Sequence, residues 1–269
     1  PLATGLLPVC LGEATKFANY LLDGDKEYLA TAQLGIVTDS GDSEGKLVAS
    51  NPVDTDLTKI QAALQHFTGA ISQIPPMYSA LKHNGRPLYE YAREGIEIER
   101  KVRQVVIHQL ELISYNAELQ QITFRAKVSK GTYIRTLAED IGNELGCGAS
   151  LIALRRTQTN QFLLADACSL EDLEQITDLS ELQLLSPAIL CEQLVDYTVS
   201  PEQYLSIKFG NPVHLNELPD GLLLEQEVKI YANQHFLGVA TITERYERLW
   251  LAPKRIVSGL ATYDPWLCL

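Results

Sequence analysis

Hydrophobic and polar residues alternate most regularly near the middle of the chain. Over residues 122–128 every second residue is apolar and those between are polar, which predicts a strand with one buried and one solvated face. After a glycine-containing turn, apolar residues recur at helical spacing, so a helix is predicted to begin near Thr132 and to end at Gly146. Tyr133 and Arg135 would therefore lie in the first helical turn, where the strand meets the helix.

Shorter elements are predicted on both sides of this strand and helix. Apolar residues at helical spacing predict helices over 13–22, 56–67, 87–94 and part of 162–185. Residues 27–34 are typical of a strand, whereas residues 38–45 are turn-forming throughout. From about residue 197 short strand-like runs alternate with turns, which predicts a small β-rich domain.

Composition places the chain among ordinary globular proteins. Its 269 residues are 46% hydrophobic and 21% charged, which excludes disorder and fibrous repeats. No apolar run is long enough for a membrane helix. The five cysteines show no CxxC spacing, which favours a reducing compartment, and the five histidines are isolated. We therefore expect no metal and no nucleotide cofactor.

The net charge of −12 argues at first against a nucleic-acid partner. Most of the acidity lies after residue 160, however, because residues 1–160 hold 16 Lys and Arg against 18 Asp and Glu. Basic residues concentrate in 82–103, where tyrosines stand between them, and in 125–156. Phosphates respond to the local potential, so these segments allow RNA binding. A solvated charged face is the alternative interpretation.

A few residues could carry chemistry. Arg135 is unfavourable at the positive end of a helix dipole, so we expect a buried carboxylate to hold it, although a simple ion pair is equally compatible. Tyr28 and Tyr133 offer flat rings that could stack on a base or belong to the core. Asp39 and Asp42 could form a carboxylate pair for hydrolysis, but capping of their turn is the commoner role.

Several sequence blocks together resemble a known family. They follow one another in order over about residues 1–156 and are Pro1–Lys16, Asp25–Tyr28, Thr38–Gly45, Ile74–Lys82, Leu88–Arg93, Ser129–Thr136 and Leu154–Arg156. Weaker similarity continues through Gly210–Val213 and Leu251–Arg255. The chain thereby resembles bacterial tRNA pseudouridine-55 synthases, the TruB family.

The resemblance implies a fold and an activity. The fold would be α+β, with a central mixed, mainly antiparallel sheet flanked by helices. Residues 1–196 would form the catalytic domain without its N-terminal part, 76–104 an RNA-binding insertion in it, and 197–269 a PUA-like domain. The protein would be a cytoplasmic, monomeric isomerase without cofactor or metal that converts uridine 55 in the T arm of tRNA to pseudouridine.

The resemblance also assigns roles to residues. The nucleophilic aspartate would directly precede Pro1, outside this sequence, and Arg135 would pair with it. Tyr28 would stack on the flipped base and relay a proton, Tyr133 and Leu154 would line the uracil pocket, and Lys16 would contact a phosphate or order a loop. The insertion would contact RNA through Lys82, Arg86, Tyr89 and Arg93.

Two rival hypotheses remain at this point. The chain could be a tRNA-binding or tRNA-folding module on the same scaffold that catalyses nothing. It could also be an acidic hydrolase, unrelated to RNA, that uses Asp39 and Asp42.

Overall fold

The computed structural model describes residues 2–178, 181–182 and 184–259. Its strands are β1 Ala3–Gly5, β2 Lys26–Leu34, β3 Ile36–Thr38, β4 Leu47–Ser50, β5 Gly69–Gln73, β6 Lys82–His83, β7 Arg86–Pro87, β8 Arg103–Asn116, β9 Gln121–Val128, β10 Ala149–Thr159, β11 Phe162–Leu163, β12 Val195–Thr198, β13 Val213–Leu215, β14 Glu227–Ala232, β15 His235–Arg245 and β16 Arg248–Ile256. Its α-helices are α1 Ala18–Leu22, α2 Leu57–His66, α3 Leu88–Arg93, α4 Ile134–Glu144, α5 Leu170–Gln175 and α6 Pro201–Ile207. Short 3-10 helices cover Gly12–Phe17, Leu164–Asp166 and Pro187–Cys191.

The chain divides into two compact units. The first contains the residues up to Pro8 and Gly24–Ser169, and the second contains Val9–Asp23 and the residues from Leu170 onward. The predicted domain boundary after residue 196 differs from this division. Strand β12 begins before residue 197 and pairs in parallel with β14, so it belongs to the second unit. The ring of Phe17 contacts that of Phe236, so the segment Val9–Asp23 belongs to the second unit as well.

The first unit is built on a seven-stranded sheet. Its order is β1-β10-β2-β9-β8-β5, with β11 paired to β10. The pair β1–β10 is parallel and the other pairs are antiparallel. Helix α4 packs against β10 and β2, and α2 packs against β8. This arrangement confirms the predicted α+β class and the mainly antiparallel sheet.

Hydrophobic periodicity explains the middle of this unit. The apolar residues of β9 are buried on one face, and the apolar stripe of α4, including Leu137 and Ile141, packs on the same core. The predicted strand and helix are therefore confirmed. Tyr133 differs in detail, because its backbone is extended (φ −102°, ψ 112°) and it precedes α4.

The second unit contains a five-stranded sheet of order β12-β14-β15-β16-β13 with its own apolar core. The predicted C-terminal β-rich domain is therefore confirmed, with residues 260–269 of its predicted range lying outside the described residues. Of the segment 162–185, α5 and the 3-10 helix Leu164–Asp166 are helical, and residues 179, 180 and 183 lie outside the described part. Among the helices that the structure describes, none is both long enough and apolar enough to cross a membrane.

Candidate active site

Four residues singled out in the sequence meet around one cavity of the first unit. The cavity has a volume of ≈ 440 Å³. Tyr28 comes from β2, Tyr133 from the segment before α4, Arg135 from the first turn of α4 and Leu154 from β10. The other lining residues are Leu2, Ala3, Asp42, Glu44, Thr132, Ile134 and Leu151.

Strand β1 forms one wall because it lies unusually close to β10. Ala3 is paired with Leu154, and the hydroxyl of Thr4 donates to the Leu154 carbonyl at 3.3 Å. Gly5 has φ +93°, and a Cβ atom there would lie 2.3 Å from the carbonyl oxygen of Arg156. A glycine is therefore required at this position. The first and the last of the ordered sequence blocks are neighbours in space.

Arg135 is held by three acceptors at the cavity. Its Nη1 donates to the carboxylate Oδ2 of Asp42 and to the carbonyl of Ser40, both at 3.0 Å, and its Nη2 donates to the carbonyl of Tyr78. The side chain of Asp42 is 10% exposed and that of Arg135 22%. A charge pair with such low exposure is shielded poorly by water, so it fixes the guanidinium strongly.

Asp42 owes its position to the turn over residues 38–45. The turn is docked on β10, because the Leu151 N–H donates to the Gly41 carbonyl and the Ser43 N–H donates to the Leu151 carbonyl, both at 2.9 Å. The second carboxylate oxygen of Asp42 accepts from the Ser40 hydroxyl at 2.6 Å and from the Glu44 N–H at 3.1 Å. Both oxygens of Asp42 are therefore engaged.

Arg135 was expected to have a buried carboxylate partner, and among the described residues that partner is Asp42. The pairing of Arg135 with an aspartate before Pro1, which the resemblance implies, stays a prediction. The expected capping of the turn by Asp42 is confirmed, because its carboxylate accepts from the Glu44 N–H and the Ser40 hydroxyl. Its contact with Arg135 at the cavity was not predicted. The match of the block Thr38–Gly45 to the family was a signal that could have revealed it.

The carboxylate-pair hypothesis for hydrolysis finds no support in this geometry. Asp39 is exposed, accepts from the Lys46 N–H at 2.8 Å and lines a different cavity. Asp42 lines the first cavity and is bonded to Arg135. The two carboxylates therefore do not face a common substrate.

Two acidic residues of α4 have raised pKa values. Burial raises the pKa of Glu139 to about 7, with a further contribution from the negative charge of Asp140, while Arg135 opposes the shift. Burial also raises the pKa of Asp140 to about 6. The Glu139 carboxyl lies against Gly41, where a Cβ atom would be 2.8 Å from its Cδ. Glu139 thus packs behind the turn that carries Asp42.

Lys16 is placed in the second unit. Its ammonium donates to the Glu13 carboxylate at 2.8 Å, to the Ile256 carbonyl at 2.9 Å and to the Ser258 hydroxyl at 2.8 Å. The three donors of the amino group are thus occupied by that unit. These contacts indicate that Lys16 holds the end of β16, and its predicted phosphate contact stays a prediction.

The predicted RNA-binding residues lie in one segment of the first unit, residues 82–93, which contains β6, β7 and α3 and is called the arm. Lys82 is exposed in β6, which forms a hairpin with β7. Arg86 bonds to Glu90 at 2.9 Å and to Glu94, and its guanidinium lies 4.5 Å from the centre of the Tyr91 ring. The guanidinium of exposed Arg93 lies 5.2 Å from the ring centre of Tyr89. Arg86 therefore holds the arm together, which the sequence did not indicate.

No group of three or more His, Cys, Asp or Glu residues suited to hold a metal ion occurs within the described part of the chain.

Comparison with known proteins identifies the family. The TruB family pseudouridylate synthase N-terminal domain matches residues 1–134, the tRNA pseudouridylate synthase B C-terminal domain matches 135–195, and the C-terminal domain of pseudouridine synthase II TruB matches 197–257. The chain is 48% identical to tRNA pseudouridine synthase B of Chromobacterium violaceum over 242 residues, which cover 89% of this chain and 78% of the relative. It is 45% identical to the protein of the same name from Neisseria meningitidis serogroup B over 253 residues, covering 93% and 80%.

The fold is also similar to that of solved structures. A chain in the crystal structure of a Cbf5-Nop10-Gar1 complex superimposes with a TM-score of 0.71 at 21% identity, covering 96% of this chain and 74% of that one. This chain belongs to the TruB family of pseudouridylate synthases, which are isomerases that convert uridine to pseudouridine.

Proposed function

We propose that this protein isomerises a uridine of tRNA, namely uridine 55 of the T arm, to pseudouridine. The observation that carries the proposal is the convergence of Tyr28, Tyr133, Leu154 and Arg135 on one cavity of ≈ 440 Å³. Two aromatic rings and an apolar wall suit a flat base, and the guanidinium suits a reaction that needs a fixed anion. The curated relatives named above are tRNA pseudouridine synthases.

The base must leave its stack to reach this cavity, and extruding it costs a few kcal/mol. Stacking on Tyr28 offsets part of that cost. The N1–C1′ bond then breaks, the uracil turns within the cavity, and C5 bonds to C1′. C5 loses its proton and N1 gains one, so the reaction is balanced without a redox partner. The phenol of Tyr28, which lines the cavity, would relay such a proton.

The nucleophile in this proposal is an aspartate that directly precedes Pro1. Leu2 and Ala3 line the cavity, and the residue before Pro1 is two positions from Leu2, which corresponds to roughly 7 Å of chain. A carboxylate there is within reach of the cavity. Arg135 would stabilise it as an anion, while Asp42 holds the guanidinium in place.

The other parts of the chain receive roles in the same proposal. The arm with Lys82, Tyr89 and Arg93 would contact the T arm, because exposed cations beside half-buried tyrosines suit folded RNA. The PUA-like domain would contact the RNA to a limited extent, since residues 161–269 hold 6 Lys and Arg against 16 Asp and Glu. The protein would act as a cytoplasmic monomer.

The proposal is tested with the full-length protein and tRNA carrying [5-³H]uridine. Release of tritium at one equivalent per tRNA is expected, and a tRNA with cytidine at position 55 should release none. Arg135→Ala should lower turnover by about 100-fold or more and leave tRNA affinity nearly unchanged, because the guanidinium acts on the reacting groups. Tight tRNA binding without tritium release would contradict the enzyme assignment and favour the binding module.

A further inference from the structure

We infer that Gln73 is a positioning residue that fixes Tyr133 for the substrate base. This inference rests on the proposed function, in which the cavity lined by Tyr133 receives a nucleobase. Gln73 is the last residue of β5, 60 residues before Tyr133 in the chain, and is not part of the cavity wall described above.

The carboxamide of Gln73 binds both polar groups of the Tyr133 backbone. The Tyr133 N–H donates to Oε1 of Gln73 at 2.8 Å, and Nε2 of Gln73 donates to the Tyr133 carbonyl at 3.1 Å. The residue is 2% exposed. The side chain thus pairs with Tyr133 as a neighbouring strand would, and it does so where water cannot replace it.

Tyr133 needs this support because of where it stands. It directly precedes α4, its backbone is extended, and its carbonyl accepts the first hydrogen bond of that helix from the Leu137 N–H at 3.0 Å. Helix formation therefore leaves the N–H of Tyr133 without a partner of its own. Gln73 supplies that partner, and the pair fixes the backbone angles from which the half-buried ring projects.

The residues on either side are also tied down, which makes the connection rigid. The Thr132 hydroxyl donates to the Ser129 carbonyl at 2.9 Å, and the Ser129 hydroxyl accepts from the Val106 N–H at 2.8 Å. Arg135 is fixed by Asp42 on the other side. Gln73 completes this set by fixing the residue that contacts the base. The ring of Tyr133 is therefore preorganised before the substrate arrives.

Glutamine suits this role because it combines an acceptor and a donor in one planar group. Gln73→Glu keeps the acceptor for the Tyr133 N–H but turns a second oxygen toward the Tyr133 carbonyl. Gln73→Met keeps the length of the side chain and removes both hydrogen bonds. Gln104→Met is the matched control, because Gln104 is exposed on the adjacent β8 and bonds to the Ser72 hydroxyl at 2.9 Å.

The experiment is a double-mutant cycle on the full-length protein with tritium release from tRNA as the readout. Gln73→Met and Gln73→Glu should each lower kcat/KM by about tenfold or more, since a displaced contact residue costs at least that much. In a Tyr133→Ala background the same changes should alter kcat/KM by less than about twofold, because Gln73 acts through that ring. An equal loss in both backgrounds, or no loss in either, overturns the inference.

Hydrogen exchange at the Tyr133 amide supplies a readout that does not need catalysis. Exchange should be about tenfold or more faster in Gln73→Met than in the unchanged protein and in Gln104→Met, while the amides of β9 keep their protection. Equal exchange in all three overturns the inference. If Gln73→Met loses the protection of the Tyr133 amide as expected but the unchanged protein releases no tritium, the result supports the positioning of Tyr133 by Gln73 and refutes the proposed function.

Discussion

Replacing Asp42 by asparagine tests the central contact of the site. The change keeps the size of the side chain and removes its charge. At present Oδ2 faces Arg135 at 3.0 Å, while Oδ1 accepts from the Ser40 hydroxyl and the Glu44 N–H. An amide that keeps the bonds of Oδ1 must turn its NH₂ toward the guanidinium, so that two donors face each other.

The size of the effect follows from this geometry. A hydrogen bond to a charged group contributes about 1.5–3 kcal/mol, and removing one partner of a fully buried pair costs about 3–5 kcal/mol. The Arg135 side chain is 22% exposed and keeps two carbonyl acceptors, so we expect the unfolding free energy to fall by about 2–3 kcal/mol. Turnover should fall by about 100-fold, because the guanidinium is no longer fixed at the reacting groups.

The assay compares urea unfolding and single-turnover tritium release for Asp42→Asn and for Asp39→Asn. Asp39 is the matched control, because it lies in the same turn, is exposed and accepts from one backbone N–H. The Asp39→Asn variant should lose less than about 1 kcal/mol of unfolding free energy and keep its turnover. Equal behaviour of the two variants would refute the reasoning, since it would show that the pair with Arg135 contributes to neither stability nor catalysis.

The remaining predictions concern other parts of the first unit. The folded protein keeps the Glu139 proton up to about pH 7, against 4.5 for the unfolded chain, so stability falls as pH rises between these values. The full shift corresponds to about 3.4 kcal/mol, and partial exposure of the side chain reduces it. Glu139→Gln should therefore gain about 2 kcal/mol relative to the unchanged protein between pH 4 and 8 in urea titrations; a pH-independent difference would contradict this. Gly5→Ala should lose about 2 kcal/mol more than Gly69→Ala, because both have positive φ but a Cβ meets atoms only at Gly5; equal thermal unfolding of both variants would show that the close approach to β10 is relieved elsewhere. Lys82→Ala should weaken tRNA binding and reduce its salt slope by about one, whereas Arg86→Ala should mainly destabilise the arm; an unchanged slope for Lys82→Ala would place the RNA surface elsewhere.

The local pattern of hydrophobic residues predicted the elements that bury one regular apolar face. Strand β9 and helix α4 follow from alternation at periods of two and 3.6, because each presents one apolar face. Strand β10 was not predicted. Its pairing with β2 shifts register twice, between Leu151 and Ala153 and between Arg156 and Gln158, which interrupts the alternation that marks a strand.

In the candidate site, too, the sequence predicted some features and the tertiary structure decided others. Sequence reasoning and resemblance selected Tyr28, Tyr133, Arg135 and Leu154, and the structure brings these four residues to one cavity. The partners that hold them were decided by tertiary structure. Asp42 meets Arg135 across 93 residues and Gln73 meets Tyr133 across 60, and nothing in the local sequence records such distances.

The sequence by itself therefore determined which side chains could perform the chemistry and which faces of β9 and α4 are buried. The packing of the sheet decided which groups hold those side chains, because pairing between distant strands creates contacts that no local pattern contains. For the same reason the turn over residues 38–45, in which the sequence indicated only turn-forming residues and a resemblance, places Asp42 against Arg135 in the folded protein.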